Sequence, residues 1–295
     1  MSEFPSPVAE IPSGPVAVPP RVAELTGGRE LVPVWVNGLG GLTFRDPGSG
    51  GSAGSGGSAG SGGSAGSGGA EYASASFVKW VAAGTPELDL AAEAERLAWA
   101  RARGAVVPEV LTHGEDASGS WLITRALAGE SAVAPRWIPE PETAARSIGA
   151  GLRALHDRLP VDECPFEWAI SDRIARFEER VASGESPADW SRDYRGLSVA
   201  EARSLLHDAP AVDRLVVCHG DACAPNTLLD AEGRFAAHVD LGSLGVADRW
   251  ADLAVAAWSI DWNHGPGFDH LVYEGYGIDP DPERIAYYRL LWDLG

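Results

Sequence analysis

The stretch HGDACAPN, residues 219–226, decides the fold of this chain. It follows the apolar run Leu215-Val216-Val217-Cys218, which predicts a short buried strand. A carboxylate, Asp221, comes directly after that strand, and an asparagine, Asn226, follows the carboxylate within the same loop. Oxygen-bearing side chains at the end of a buried strand indicate a site for chemistry, and the flanking residues indicate which chemistry.

Two short strands, residues 227–230 and 235–239, follow this stretch and predict a hairpin. Antiparallel pairing brings Asn226 beside Asp240, which begins the triplet Asp-Leu-Gly. Asp221 lies on the loop just before the first strand, so we expect three oxygen-bearing side chains to converge at one end of the hairpin. The predicted register pairs residue 230 with 235, 228 with 237 and 226 with 239.

Amide and carboxylate oxygens suit Mg²⁺, which keeps waters and nucleotide phosphates as its remaining ligands. We therefore predict Asn226 and Asp240 as metal ligands and Asp221 as the group that accepts a hydrogen bond from an attacking hydroxyl. Ca²⁺ fits less well, because it prefers about six to eight oxygen ligands. The order D-x4-N followed by D-x-G is typical of kinase catalytic residues, so the stretch predicts phosphoryl transfer from ATP.

This hypothesis requires a lysine on an upstream strand and a helical acid that holds it. Lys79 is the only lysine among the chain's 23 basic residues, and it lies in the middle of a strand predicted over 75–81. A helix is predicted over 87–103, with Thr85 and Pro86 as start signals, and Glu93 lies near its apolar face. We expect Glu93 to pair with Lys79 and Lys79 to position the phosphates.

The hypothesis also requires a glycine-rich turn near the phosphates. Residues 31–45, LVPVWVNGLGGLTFR, predict a strand, a turn and a second strand, with Gly40, Gly41 and Thr43 near the nucleotide. Strands are further predicted over 105–112 and 120–126. We expect the backbone of Thr124 and Ala126, at the end of the latter, to face the adenine.

A strand-rich portion thus precedes a mainly helical one, which predicts an α+β class with two lobes. We expect an extended or disordered tail over 1–29, a nucleotide-binding lobe over 30–127, and a catalytic and acceptor-binding lobe over 128–295. Residues 48–69 repeat GSGGSA and predict a flexible linker within a strand-to-strand loop. The helices predicted in the second lobe are 142–158, 166–183, one that opens at the capping box Ser198–Glu201, 248–260 and 282–292.

The composition of the chain limits the classes of molecule that it is expected to bind. Acids outnumber bases 42 to 23, and the net charge of −19 argues against nucleic acid or an anionic membrane surface and favours a cationic small molecule. Three cysteines form no disulfide framework or zinc motif, and the N-terminus lacks a basic start and an apolar core. We therefore expect a cytoplasmic protein, monomeric or weakly dimeric.

Three stretches make the chain similar to the aminoglycoside phosphotransferases, especially the 3′-type enzymes: VVCHGDACAPNTLLD, HVDLGSLGVADRWADLA and PERIAYYRLLWDLG. The resemblance covers about residues 30–295 apart from the linker. It implies a two-lobed protein-kinase-like fold that moves the γ-phosphate of ATP to an antibiotic hydroxyl and so confers resistance. By position it assigns catalysis to Asp221, magnesium to Asn226 and Asp240, and phosphate positioning to Lys79 with Glu93.

The resemblance also implies an acidic acceptor pocket, built from the 185–197 loop, residues 258–270 and the C-terminus. The sequence departs from the family pattern here, since Trp258, Ser259 and Trp262 stand where charge is expected. Two alternatives to an aminoglycoside kinase therefore stay open: a kinase of another small hydroxylated molecule, and a non-catalytic nucleotide-binding protein. The candidate acceptor contacts are Asp189, Asp193, Asp261, Asp293 and the terminal carboxylate of Gly295.

Overall fold

The computed structural model describes residues 9–10, 12, 14–48, 75–85 and 88–295, so the predicted linker lies outside the described residues beyond Gly48. The chain divides into two compact units, each described here by itself. Among the described residues, the first unit runs up to Ala98 and continues over Pro108–Ala128, and the second contains Trp99–Val107 and Gly129–Gly295.

One segment departs from the predicted division of the chain. Trp99–Val107 belongs with the second unit, although the sequence places it within the first lobe. Backbone pairing explains the difference, because the N–H of His238 donates to the carbonyl of Val106 at 3.0 Å.

The first unit is built on an antiparallel sheet. Its strands are β1 (Ala9–Glu10), β2 (Val32–Asn37), β3 (Leu42–Asp46), β4 (Ser76–Ala82), β5 (Val110–Asp116) and β6 (Gly119–Arg125). They lie in the order β1-β2-β3-β4-β6-β5. The predicted strand–turn–strand segment and the lysine-bearing strand therefore lie side by side as β2, β3 and β4.

The predicted tail over 1–29 is wrong for residues Pro20–Leu25, which form helix α1. A proline at its start has a backbone angle suited to a first helical turn. Val22 is fully buried in a cluster with Phe44 and Trp121, so burial of apolar surface holds the segment against the sheet.

Helix α2, Leu90–Ala102, carries Glu93 and begins later than the predicted residue 87. The carboxylate of Asp89 accepts the backbone N–H of Ala92 at 2.9 Å and thus caps the first turn. Pro86 and Glu87 lie outside the described residues.

The second unit is mainly helical and surrounds one helix, Trp250–His264, in which every residue from Trp250 to Ile260 is buried. Its helices are α3 (Pro141–Arg158), α4 (Ile170–Ala182), α5 (Val199–His207), α6 (Trp250–His264), α7 (His270–Tyr276) and α8 (Pro282–Leu294). Its short strands are β7 (Glu130–Ser131), β8 (Leu215–Cys218), β9 (Thr227–Leu229), β10 (Phe235–His238) and β11 (Gly245–Asp248).

The helix predicted over 166–183 begins too early. Val246 on β11 donates its N–H to the carbonyl of Phe166 at 2.9 Å and accepts the N–H of Trp168 at 3.1 Å. These bonds hold residues 166–168 in an extended conformation, so α4 starts at Ile170. Strand β11 and helix α7 were not predicted from the sequence.

A sheet unit followed by a mainly helical unit confirms the predicted α+β class. None of the helices in the part of the chain that the structure describes has the length and hydropathy of a membrane span.

Candidate active site

The predicted hairpin forms from β9 and β10, with one change of register. Ala237 pairs with Leu228 as predicted, and the N–H of Val239 donates to the carbonyl of Asn226 at 2.9 Å. The predicted pairing of residue 230 with 235 is wrong, because Phe235 pairs with Leu229 across a bulge. The turn explains the shift: Asp230 bonds to Arg234 instead, and Gly233 adopts a left-handed conformation with φ of 81°.

The side chains of Asp221 and Asn226 meet as the sequence predicted. Nδ2 of Asn226 donates to the backbone carbonyl of Asp221 at 2.9 Å and to its Oδ2 at 3.1 Å. Oδ1 of Asp221 accepts a hydrogen bond from the thiol of Cys223 at 3.2 Å. Both oxygens of the carboxylate are thereby held by neighbours on the same loop.

The donor atoms here fit a hard divalent cation. Because Nδ2 of Asn226 points to Asp221, the Oδ1 atom of the same amide is the one that can bind a cation. Asp240 directly follows Val239, whose N–H bonds to Asn226, so its carboxylate comes from the adjacent strand end. Asp240 has φ of 63°, a left-handed conformation that is uncommon for residues with a Cβ and is often kept at functional sites.

Asp252 on α6 anchors the loop that carries Asp221, and sequence reasoning missed it. Its carboxylate is fully buried and accepts the backbone N–H groups of His219 at 2.6 Å and Gly220 at 2.9 Å. His156 Nε2 lies 3.0 Å from the same carboxylate. Burial alone would raise the pKa of Asp252, but the bond to His156 and those to the loop outweigh it and lower the pKa. The signal for Asp252 in the sequence was that it is the single acid within the apolar run WADLAVAAW.

In the first unit, Lys79 and Glu93 form the predicted ion pair. Nζ of Lys79 lies 2.7 and 2.9 Å from the two carboxylate oxygens of Glu93. The side chain of Glu93 is 6% exposed and that of Lys79 is 23% exposed, so the pair is largely removed from water. The contact between them is confirmed, and their role toward a nucleotide stays a prediction.

The glycine-rich turn joins β2 to β3. Gly40 is exposed with φ of 93°, a conformation that favours glycine, whereas Gly41 is buried and a Cβ there would lie 3.1 Å from Leu88. Thr43 pairs directly with Lys79 across β3 and β4. The turn therefore lies on the strand next to the lysine, in the predicted order.

Thr124 and Ala126 lie at the end of the strand β6, as predicted. The backbone N–H of Ala126, which we expected to face the adenine, is hydrogen-bonded within the first unit. Thr124 pairs with Phe77 within the sheet. The N–H of Ala126 donates to the carbonyl of Ala75 at 3.1 Å, so this donor is used inside the first unit. Contact of either residue with adenine stays a prediction.

The predicted acceptor acids separate into two groups. Asp189 and Asp193 are exposed, and Asp189 accepts both the N–H and the hydroxyl of Ser186 at 2.9 Å. Those bonds lower the pKa of Asp189 and occupy its Oδ2 within its own loop.

The other acids are more enclosed. Asp293 accepts the N–H of Ser191 at 3.2 Å, and burial raises its pKa. Burial, with repulsion from Asp269, also raises the pKa of Asp261, whose buried Oδ1 has no hydrogen-bond partner among the described residues. Gly295 is half-buried and ends α8 with its N–H bonded to Leu291.

Comparison with known proteins agrees with this geometry. The model of the phosphotransferase enzyme family matches residues 74–288. An aminoglycoside 3′-phosphotransferase from Streptomyces fradiae is 37% identical over 218 residues, which cover 69% of this chain and 78% of that protein. A streptomycin 3″-kinase from Streptomyces griseus is 35% identical over 214 residues, covering 68% and 77% respectively.

A solved structure shares the fold. The crystal structure of an aminoglycoside-3′-phosphotransferase of type VIII superposes with a TM-score of 0.64 at 32% identity, covering 75% of this chain and 85% of that one. The chain therefore has the predicted kinase-like fold and belongs to the phosphotransferase enzyme family, among the aminoglycoside phosphotransferases.

Proposed function

We propose that this phosphotransferase uses ATP and Mg²⁺ to phosphorylate a hydroxyl of an aminoglycoside antibiotic, the 3′-hydroxyl in the first instance, and thereby confers resistance. The observation that carries the proposal is the contact of Asn226 with Asp221 at the end of the β9–β10 hairpin where Val239, the neighbour of Asp240, pairs with Asn226. The identities of 35–37% to enzymes named for aminoglycoside substrates support the substrate class.

Asp221 is the residue that orients the acceptor. Cys223 and Asn226 hold its carboxylate in one rotamer, so an acceptor hydroxyl that donates to it meets a pre-oriented group. As the hydroxyl oxygen bonds to the γ-phosphorus, the bond from that phosphorus to the β–γ bridging oxygen breaks, and the hydroxyl proton passes to Asp221. Most of the benefit comes from positioning, because the transition state of phosphoryl transfer is loose.

Asn226 and Asp240 would hold Mg²⁺ through one amide oxygen and one carboxylate. The bound cation would neutralise charge on the phosphates and on the departing ADP. The anchoring of the loop to Asp252 keeps the Asp221 backbone in place, since the N–H groups of the two residues before it are bonded to a buried carboxylate.

Lys79 would position the α- and β-phosphates, with Glu93 fixing the direction of its ammonium group. A compact ammonium can contact one carboxylate and phosphate oxygens together. Gly40, Gly41 and Thr43 would place backbone N–H groups and a hydroxyl near the same phosphates.

Mass spectrometry of candidate aminoglycosides after incubation with the protein, ATP and Mg²⁺ tests the proposal. We expect one added phosphate, absent when ATP is omitted or Mg²⁺ is chelated. Tandem spectra then assign the modified hydroxyl. Phosphate found only on non-aminoglycoside alcohols would show a different small-molecule kinase, and nucleotide binding without phosphorylation of any acceptor would show a non-catalytic protein.

A further inference from the structure

Helix α6 holds residues 219–226, the Asp221 loop, on both sides of Asp221. Asp252 accepts the N–H groups of the two residues before Asp221. Ser259, which is 1% exposed, accepts the N–H of Ala224 at 2.9 Å through its hydroxyl oxygen. Asp252 and Ser259 lie about two turns apart on one face of the helix. One buried helix therefore fixes the segments on either side of the carboxylate.

The hydroxyl of Ser259 is left with one hydrogen to donate. Its oxygen accepts a hydrogen bond from Nδ2 of Asn263 at 3.1 Å as well as that from the N–H of Ala224, and these two donors occupy both lone pairs. Ser259 also forms a side-chain hydrogen bond with Cys223. Because both lone pairs of the hydroxyl are occupied, Ser259 is the donor in that bond and the sulfur is the acceptor.

The thiol of Cys223 links Ser259 to the carboxylate. It donates to Oδ1 of Asp221 at 3.2 Å. Burial and the negative charge of Asp221 raise the pKa of the Cys223 thiol well above its usual value, and the hydrogen bond with Ser259 opposes this only in part. The thiol therefore keeps its proton at neutral pH and remains a donor. Hydrogen bonds thus run in one direction from Asn263 through Ser259 and Cys223 to Asp221.

We propose that Cys223 and Ser259 are positioning residues for phosphoryl transfer, because the hydrogen bonds that run through them set the direction of the Asp221 carboxylate. The inference rests on the proposed function, in which Asp221 orients the acceptor hydroxyl. A thiol is a weak donor by itself, but accepting a bond from Ser259 polarises it and strengthens the bond that it donates. Asn226 holds the other carboxylate oxygen, so each of the two oxygens has its own donor.

The effect of this restraint falls on the reaction step. A carboxylate that lacks the bond to Cys223 can turn away from the acceptor hydroxyl, and a small misplacement of a reacting group is costly. Such a loss lowers kcat and leaves the binding of ATP and of the acceptor unchanged. A merely structural role in the stability of the loop would not separate kcat from KM in this way.

Steady-state kinetics of the full-length protein with ATP, Mg²⁺ and kanamycin test the inference. Cys223→Ala should lower kcat about tenfold and keep the KM values for ATP and kanamycin within about twofold. Cys223→Ser should keep kcat within about threefold of wild type, because a hydroxyl also donates. A kcat of Cys223→Ala within threefold of wild type, an equal loss in Cys223→Ser, or a loss that falls on KM overturns the inference while phosphotransfer stands.

Ser259→Ala should also lower kcat about tenfold, with unchanged KM values. The double variant Cys223→Ala/Ser259→Ala should lose at most about threefold more than the poorer single variant, because the two residues act in one series of hydrogen bonds. Losses that multiply to about a hundredfold would show that the two side chains act independently, and this would overturn the inference.

Cys164→Ala and Ser147→Ala are the matched controls. The thiol of Cys164 donates to the carbonyl of Phe166 at 3.5 Å, and the hydroxyl of Ser147 donates to the carbonyl of Gly233 at 2.5 Å, both outside the Asp221 loop. Each control should keep kcat within about twofold of wild type. A tenfold loss in either would show that removing any such donor lowers kcat, and would contradict a specific role of Cys223 and Ser259.

If kanamycin is not phosphorylated, the proposed function fails for this acceptor. Crystal structures of wild type and Cys223→Ala then decide the inference separately. Wild type should show one conformation of the Asp221 side chain, with Oδ1 bonded to Sγ of Cys223, and the variant should show a rotated or divided conformation. The same conformation of Asp221 in both structures would overturn the inference.

Discussion

Asp252 and Asp261 lie on the same helix, α6, and their surroundings are opposite. Asp252 accepts two backbone N–H groups and faces His156, so its pKa is lowered despite burial. Asp261 has a buried oxygen without a described partner, and burial together with Asp269 raises its pKa. The surroundings of the first carboxylate favour its charged form, whereas those of the second disfavour it.

This difference separates the start of α6, which anchors the loop that carries Asp221, from the far end of the same helix. Near Asp252, hydrogen bonds fix the loop before any ligand arrives, which suits a reaction that depends on positioning. Near Asp261, burial and the neighbouring Asp269 disfavour the charge, and one carboxylate oxygen has no partner among the described residues. The predictions below test that contrast, beginning with the largest expected effect.

Asp221→Asn should lower kcat about a thousandfold, because the amide cannot take the acceptor proton although it keeps the shape of the side chain. Nucleotide affinity, measured by calorimetry, should stay within about threefold. Asp230→Asn is the matched control on the turn of the same hairpin and should retain activity. A kcat within tenfold of wild type in Asp221→Asn would remove the catalytic assignment.

Asp252→Asn should lower the free energy of unfolding by about 3 kcal/mol in urea titrations, since it removes the charge of a fully buried carboxylate that accepts several hydrogen bonds. Because the folded-state pKa is lowered, Asp252 contributes stability above its unfolded pKa of about 3.9, and this is lost as the pH falls below that value. The variant should therefore show a shallower acid dependence. Asp172→Asn, an exposed acid, should change little, and an equal loss there would contradict the account.

Lys79→Arg should reduce kcat/KM for ATP about a hundredfold, because the larger planar guanidinium can pair with Glu93 but cannot take the place of a compact ammonium group that contacts Glu93 and the phosphates together. Arg125→Lys, in a half-exposed pair with Glu109, is the control for a change between basic residues. Retained ATP kinetics in Lys79→Arg would show that the ion pair is only structural.

Asp261→Asn should raise the free energy of unfolding at pH 7 by about 0.5 kcal/mol, a small figure because solvent screens part of the effect. A raised folded-state pKa means that the charged form weakens the fold, so the gain should vanish as the pH falls below about 4. Chemical denaturation at the two pH values measures it. Destabilisation at pH 7 would mean that Asp261 is paired after all.

Asp189→Asn should change kcat/KM for any acceptor by less than about twofold, since Asp189 is exposed and bonded to Ser186. This is the smallest expected effect. A tenfold loss specific to the acceptor would instead support the contact suggested by family resemblance.

The sequence alone predicted the hairpin, the Asn226–Asp221 contact and the Lys79–Glu93 pair. The first two depend on strand pairing within a short segment, and the third on which helix face carries an acid. The bulge at Phe235 was not predicted, because the geometry of the turn determines the register there. The role of Asp252 was not predicted either, since it arises from contacts between segments far apart in the chain.

A crystal structure with ADP and Mg²⁺ tests the central claim most directly. We expect a cation held by the amide oxygen of Asn226 and a carboxylate oxygen of Asp240 at about 2.1 Å, with Asp221 outside its ligand shell. A nucleotide-bound cation that touches neither Asn226 nor Asp240 would contradict it.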